Sequence, residues 1–295
     1  MNMQQNEKSP SLRLGDNETV KFTYNGDRYC VHIRQDDVAF NPRDDYNVTT
    51  MACFHSRYRL GDNVGTGAPE RFWIDLVNKF VTQSEVFAAL EVGDLHGIRI
   101  QANVADKNMY DVYERVMNGS EYIAYACLTA DEVVEYIMDD LTIQSCQHLL
   151  EPYLEWMPLW LYDHSGISIS CGSRTGQYAD SWDSGCVGWI IMTKDTACGE
   201  LGADDTNWRE KAISAMELDV EIYDEYLTGD VYGFQLLKQV DGEWEETDDS
   251  CWGFYGSDIV ENGIADDIPG LLEAIKSGDY EIGTAERHVS VSYTY

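Results

Sequence analysis

The sequence predicts an α+β fold in which antiparallel or mixed sheets are interspersed with helices, arranged as two subdomains. An Asn25-Gly26 pair separates two apolar runs within residues 18–34, which is the pattern of a β-hairpin. Apolar residues recur on one helical face over residues 71–80. Helices and hairpins follow one another without a regular βαβ rhythm, which favours α+β over a doubly wound parallel sheet.

Five elements are expected after this hairpin in the first half of the chain, and hydrophobic periodicity and helix-start residues indicate four of them. They are a helix opened by Pro69 and running to Phe80, a short continuation from a Ser84 cap to Leu90, an alternating strand over residues 98–104 and a strand over residues 122–128. Thr129 and Glu132 have the spacing of a capping box, so we expect a helix from there to Leu141.

A stretch rich in proline and aromatic residues begins at Glu151 and marks a boundary between the two halves. We therefore divide the chain into a disordered tail over residues 1–10, an N-terminal α+β subdomain over 11–150 and a C-terminal acidic α+β subdomain over 151–295. The tail is polar and ends in a proline, which gives it little apolar surface to bury.

The second half contains the clearest helix of the sequence. It starts near Asp205 or Thr206, its apolar residues are spaced by three and four, and Gly229 is placed to end it in the left-handed conformation. A buried strand is expected over residues 187–192 and a final strand over residues 288–295. Between them, residues 231–240 form one strand of a hairpin whose acidic return strand or loop follows the Asp241-Gly242 turn.

Charge is the most unusual property of the chain. It has 53 acidic and 20 basic residues, a net charge of −33, and residues 200–280 alone hold 22 acidic against 4 basic residues. Such a surplus keeps a protein soluble and steers it toward basic partners. It argues against direct binding to nucleic acid.

The cysteines and the hydropathy indicate a cytoplasmic protein. Eight cysteines are scattered without a C-x-x-C pair, which argues against a structural zinc site and fits reduced thiols. No apolar run approaches the length of a membrane span, and we see no secretory signal at the N-terminus. We expect no metal, no cofactor and no membrane partner.

Two short patterns could carry catalysis, although each more often forms an ordinary turn. Gly93–Gly97 resembles the GD-x-HG loop of calcineurin-like metallophosphoesterases, but the other metal-binding motifs of that family are missing. His164 could serve as a base with Cys186 as nucleophile, or act with Asp163 or Asp183. Nothing in the sequence predicts a lowered pKa for the Cys186 thiol.

The acidic return strand is the predicted partner-binding segment. Aromatic residues anchor interfaces through their desolvated area, and surrounding carboxylates select a basic partner. The alternative is a solvated edge strand whose aromatic side chains face the core. The candidate contact residues are Trp244, Glu245, Glu246, Asp248, Asp249, Trp252 and Tyr255.

Four ordered blocks in the second half resemble a family of proteins encoded by phages and mobile elements. The blocks are residues 161–167 (LYDHSGI), 182–188 (WDSGCVG), 223–234 (YDEYLTGDVYGF) and 249–256 (DSCWGFYG). The resemblance implies a phage or prophage protein without an assigned enzymatic activity. In length and acidity the chain is also similar to the Gabija anti-defence proteins of phages, which bind the Gabija nuclease–helicase complex and stop it engaging DNA.

The expected function is therefore inhibition by binding, not catalysis. We expect a cytoplasmic inhibitor, acting in an infected bacterium, that blocks a defence nuclease complex through its basic DNA-binding surface, with Gabija as the first candidate and a homo-oligomer as the active form. Two alternatives stay open. One is an acidic DNA mimic directed against restriction enzymes, and the other is a small hydrolase that uses His164 with Cys186 or Asp183.

Overall fold

The computed structural model describes residues 10–93, 95, 97–115, 122–138, 141–179 and 182–285. Its strands are β1 (Glu18–Tyr24), β2 (Asp27–Gln35), β3 (Thr50–Cys53), β4 (Ile98–Ala102), β5 (Met109–Arg115), β6 (Tyr122–Thr129), β7 (Leu154–Asp163), β8 (Ile167–Cys171), β9 (Ser184–Thr193), β10 (Val231–Val240), β11 (Glu243–Tyr255) and β12 (Tyr280–Thr284). Its α-helices are α1 (Pro69–Phe80), α2 (Gln83–Val92), α3 (Ala130–Met138), α4 (Ile143–Leu150), α5 (Lys194–Glu200), α6 (Trp208–Thr228), α7 (Ile264–Asp267) and α8 (Leu271–Ser277).

These strands form three sheets in which each recorded pairing is antiparallel. A five-stranded sheet has the order β11-β10-β2-β1-β12, a four-stranded sheet the order β3-β9-β7-β8, and a three-stranded sheet the order β4-β5-β6. Helices lie between the strands in sequence and pack on the sheets. The predicted α+β class with antiparallel sheets is thus confirmed.

The predicted division at residue 150 does not follow the sheets. In the five-stranded sheet β2 pairs with β10, and in the four-stranded sheet β3 pairs with β9, so two sheets combine strands from both sides of that position. A boundary read from local composition cannot detect pairings between segments this far apart in sequence. The predicted tail lies outside the described residues except for Pro10, and the predicted final strand over 288–295 lies outside them entirely.

Most local predictions in the first half are confirmed, with three corrections. The cap of α2 is Thr82, not Ser84, because Thr82 and Glu85 form a capping box of their own. Helix α3 follows the predicted Thr129–Glu132 box and is described as far as Met138; residues 139–140 lie outside the described residues, and Leu141 is not helical. The strand predicted over 98–104 stops at Ala102, because the Asn103 side chain accepts the backbone amides that follow and turns the chain.

The second half agrees more closely with prediction. The buried strand, the long helix ended by Gly229 at φ 76°, and the hairpin with Asp241 and Gly242 at positive φ are all present. The helix begins at Trp208, slightly later than predicted, because Asp204 first closes a turn with the amides of Thr206 and Asn207.

Three hydrophobic clusters hold these elements together. One lies between α7, α8 and one face of the five-stranded sheet, and includes Ile33 and Phe234. A second packs α6 on the four-stranded sheet, and the third surrounds Trp73 between α1, α4 and the three-stranded sheet. In the part of the chain that the structure describes, no helix is both long and apolar enough to cross a bilayer.

A buried arginine links the loop after β2 to helix α6. The side chain of Arg43 is 1% exposed, and its guanidinium binds both carboxylate oxygens of Asp62, at 2.9 and 2.7 Å. It also reaches Asp219 of α6 at 3.3 Å. Asp62 in turn accepts the backbone amide of Met51 at 2.8 Å, so one arginine fixes the loop, β3 and α6 relative to one another.

Candidate partner-binding site

The seven predicted contact residues all lie on β11, the edge strand of the five-stranded sheet. Within the described ranges, this strand pairs on one side, with β10, and most of its residues are exposed. Three residues of β11 oppose one residue of β10 near Thr247, and a second irregularity lies at Gly253. Bulges and charges on an edge oppose the addition of further strands, so contacts to a partner would be made mainly by side chains.

The register shows which face each side chain occupies. Residues directly opposite in an antiparallel pair share a face, and Trp244, Glu246 and Trp252 lie opposite Gln239, Leu237 and Gly233. That face points away from α7 and α8, which cover the face with Phe234. Both tryptophans therefore lie on the face of the sheet opposite α7 and α8, away from the cluster that contains Phe234.

The two tryptophans differ in their availability. Lys21 and Arg28 lie over the Trp244 ring, at 5.8 and 6.0 Å from its centroid, so this ring already has cationic neighbours. The ring of Trp252 rests on the backbone of Gly233, where an added Cβ would come within 2.4 Å of it, and the side chain is 42% exposed. Trp252 is therefore the better anchor for a partner.

Four carboxylates of β11 have no cationic partner in the part of the chain that the structure describes. Among the described residues, Glu245, Glu246, Asp248 and Asp249 form no ion pair, and all four are exposed. Lys238 lies directly opposite Glu245, but its ammonium binds Asp27 instead, at 2.7 Å. The strand therefore presents four unneutralised charges beside two aromatic rings.

The structure adds an acidic cavity that sequence reasoning missed. It has a volume of about 590 Å³ and lies where the end of β11 meets α6. Its carboxylates are Glu221, Glu225, Asp230, Asp258 and Glu261, and Arg13 is the cation in its lining. These residues come from three separate chain segments, and the only sequence signal is the spacing of Glu221 and Glu225 on one face of a helix.

Two cavity carboxylates illustrate different roles. Asp258 accepts backbone amides from Leu12 and Val260, at 3.1 and 3.0 Å, and so fixes the N-terminal segment. Glu225 packs against Gly256, where an added Cβ would lie 2.5 Å from Oε1. Burial, and then repulsion from Glu221 and other nearby carboxylates, raise the pKa of Glu225 to about 7.

This raised pKa predicts a specific dependence of stability on pH. The folded state holds the Glu225 proton more tightly than the unfolded state, so the stabilisation is complete below about pH 4.5 and is lost as the pH rises through about 7. Asp230, Asp224 and Arg13 also act on this carboxyl. We expect Glu225→Gln to raise the melting temperature relative to the native chain at pH 8, and to give a smaller gain at pH 5.

The control is Glu217→Gln, which removes an exposed carboxylate from the same helix outside the cavity. Thermal melts of the three proteins at both pH values measure the effect. If Glu225→Gln changes the melting temperature by the same amount at pH 5 and at pH 8, the pKa of Glu225 is not raised.

The residues of the hydrolase alternative are only partly brought together. Nδ1 of His164 lies 3.3 Å from Asp183, on surface turns, with the imidazole 64% exposed. Cys186 lies opposite Trp160, four residues from His164, which corresponds to about 13 Å along a strand. Asp163 is held by Arg57 and Tyr58. The thiol is thus out of hydrogen-bonding reach of the imidazole, and Asp183 is the one predicted partner that pairs with it.

The other chemical patterns give no assembled centre within the described ranges. Asp94 and His96 of the phosphoesterase-like loop lie outside them. In the rest, no group of three or more His, Cys, Asp or Glu side chains is arranged to hold a metal ion. Burial raises the pKa of the Cys53 thiol to about 12, which keeps it protonated.

Comparison of the chain with protein-family models, with curated proteins and with solved structures found no match. Its function is therefore argued from the geometry of β11 and the acidic cavity.

Proposed function

We propose that this chain is a phage or prophage inhibitor that binds a bacterial defence nuclease complex, with Gabija as the first candidate, and blocks its engagement or cleavage of DNA. The supporting observation is a set of four exposed carboxylates on β11 that form no ion pair within the described residues, together with the exposed ring of Trp252. In this proposal the chain acts by occupying a surface, not by transforming a substrate.

The physical argument starts from the target. A nuclease complex needs a basic surface to hold the DNA backbone, and a protein of net charge −33 is attracted to that surface over a distance of about 10 Å at moderate salt. Carboxylates without intramolecular cations lose no existing ion pair when they meet a partner's arginine or lysine. Placing these carboxylates in an interface therefore costs less free energy than placing carboxylates that must first leave an intramolecular ion pair.

The arrangement of the charges supports binding from outside the DNA cleft. Mimicry of a duplex would need two rows of carboxylates near the spacing of phosphates on one surface, whereas the adjacent Glu245 and Glu246 lie on opposite faces of β11. Outside binding benefits from several linked contacts, so we propose that a homo-oligomer is the active form.

The proposal is tested by expressing the chain in bacteria that carry a Gabija system and challenging them with a phage that the system restricts. We expect plaque formation to recover to the level of a strain without the system. The matched control is the same expression in that undefended strain, where plaque formation should not change. No recovery in any strain carrying a defence nuclease would overturn the proposal.

A further inference from the structure

The acidic cavity opens beside an exposed apolar surface. Phe40 and Leu218 are 58% and 54% exposed, although both are large hydrophobic residues. Leu218 and Tyr255 line the same cavity, and the Tyr255 hydroxyl donates to the Phe40 carbonyl oxygen at 2.6 Å. Trp252 is 42% exposed and precedes the cavity-lining Gly253 in β11. We call Phe40, Leu218, Trp252, Tyr255 and the cavity the α6–β11 surface.

We propose that the α6–β11 surface is the docking site for a basic amphipathic segment of a partner protein, whose arginine or lysine enters the acidic cavity while its apolar residues cover Phe40, Leu218 and Trp252. This inference deepens the proposed function and rests on it, because it places the centre of the interface. An apolar patch with a charged rim is the usual composition of a protein interface.

Charge decides which occupant fits. Glu221, Glu225 and Glu261 form no ion pair within the described part of the chain, and Arg13 is the cavity's basic residue. A second copy of this chain would bring equal charges together, and a nucleic acid would be repelled. A guanidinium has planar donors that match carboxylates in pairs, so an arginine uses this cavity best.

The volume of the acidic cavity also fits a partner segment that carries a long basic side chain. A cavity of about 590 Å³ is far larger than a single ion needs and lies in the range that holds a long side chain with its neighbours. The pKa of Glu225 is raised first by burial and then by repulsion from Glu221, Asp230 and Asp224, so a cation beside it would favour its charged form.

The test uses the full chain and a fluorescent synthetic peptide of about 12 residues, with leucine and arginine placed on opposite faces of a helix. Such a helix spans about 18 Å and, centred on the cavity, extends about 9 Å to either side. Glu246 lies about 20 Å along the sheet from Tyr255, because their partners Leu237 and Val231 are six residues apart on β10, so a helix centred on the cavity does not reach it. We expect the Glu221→Gln/Glu225→Gln variant to bind the peptide at least about tenfold more weakly, and Leu218→Ser to weaken it severalfold.

The control is Glu245→Gln/Glu246→Gln, which removes the same charge from the far end of β11 and should change the peptide affinity less than about twofold. Equal weakening by both pairs would show only general attraction and would overturn the inference, as would no binding to the native chain. Circular dichroism melts show that each variant is folded. If the cavity variants lose peptide binding but still restore plaque formation fully, the proposed docking site is wrong and the proposed function stands. If the native chain fails to restore plaque formation, the proposed function itself is refuted.

Discussion

Replacement of Arg43 by alanine is expected to lower the free energy of unfolding by about 3 kcal/mol. The guanidinium is buried, and its removal leaves Asp62 and Asp219 close together without a cation. The expected loss is at the lower end for a broken buried pair, because these two carboxylates are 22% and 20% exposed and can recover some hydration. Urea unfolding followed by circular dichroism measures it.

A matched exposed pair provides the control for this prediction. Arg57 binds Asp163 at 2.6 Å, but its side chain is 68% exposed. Arg57→Ala should therefore cost less than about 1 kcal/mol. Arg43→Lys should fall between the two, because an ammonium cannot bind both oxygens of Asp62 and Asp219 at once. A loss for Arg43→Ala no larger than for Arg57→Ala would contradict the structural role of this arginine.

Neutralisation of the four acidic contact residues on β11 is expected to weaken binding to the defence complex by about 100-fold. The variant combines Glu245→Gln, Glu246→Gln, Asp248→Asn and Asp249→Asn, none of which breaks an ion pair within the described structure. A loss of about 0.7 kcal/mol of binding free energy for each of the four side chains gives a total weakening of about 100-fold. The fold should be unaffected, because the four side chains are exposed. Titration with the purified complex measures the affinity.

The control for the β11 variant removes the same number of negative charges from a different surface. Glutamine or asparagine at Glu70, Glu91, Asp131 and Glu135 removes four exposed carboxylates from α1, α2 and α3. This variant should weaken binding only severalfold, through reduced long-range attraction. Equal effects of the two quadruple variants would mean that total charge, and not β11, determines binding.

Local sequence signals predicted both hairpins and the helices α1 and α6, but not the strands β3, β5, β7, β8 and β12. The Asn25-Gly26 and Asp241-Gly242 turns fix both hairpins through residues with positive φ, and Gly229 ends α6 for the same reason. The joining of these hairpins could not be predicted. Pairing of β2 with β10 depends on a register between distant segments, and neither segment alone indicates its partner.

The candidate site was predictable only where it is contiguous in sequence. The acidic and aromatic residues of β11 stand next to one another in the chain, so their composition was visible. The acidic cavity assembles Arg13, two turns of α6 and the loop after β11, which only the folded chain brings together. The contact of Trp244 with Lys21 and Arg28 likewise depends on cross-strand packing.

Salt dependence of the binding between the purified chain and the purified Gabija nuclease–helicase complex tests the central claim most directly. The dissociation constant is measured at about 0.05 M and about 0.5 M salt, between which screening of exposed charges becomes nearly complete. Unpaired carboxylates on β11 that meet a basic surface predict tight binding at low salt and at least about tenfold weaker binding at high salt. Absence of binding, or an affinity unchanged by salt, would contradict it.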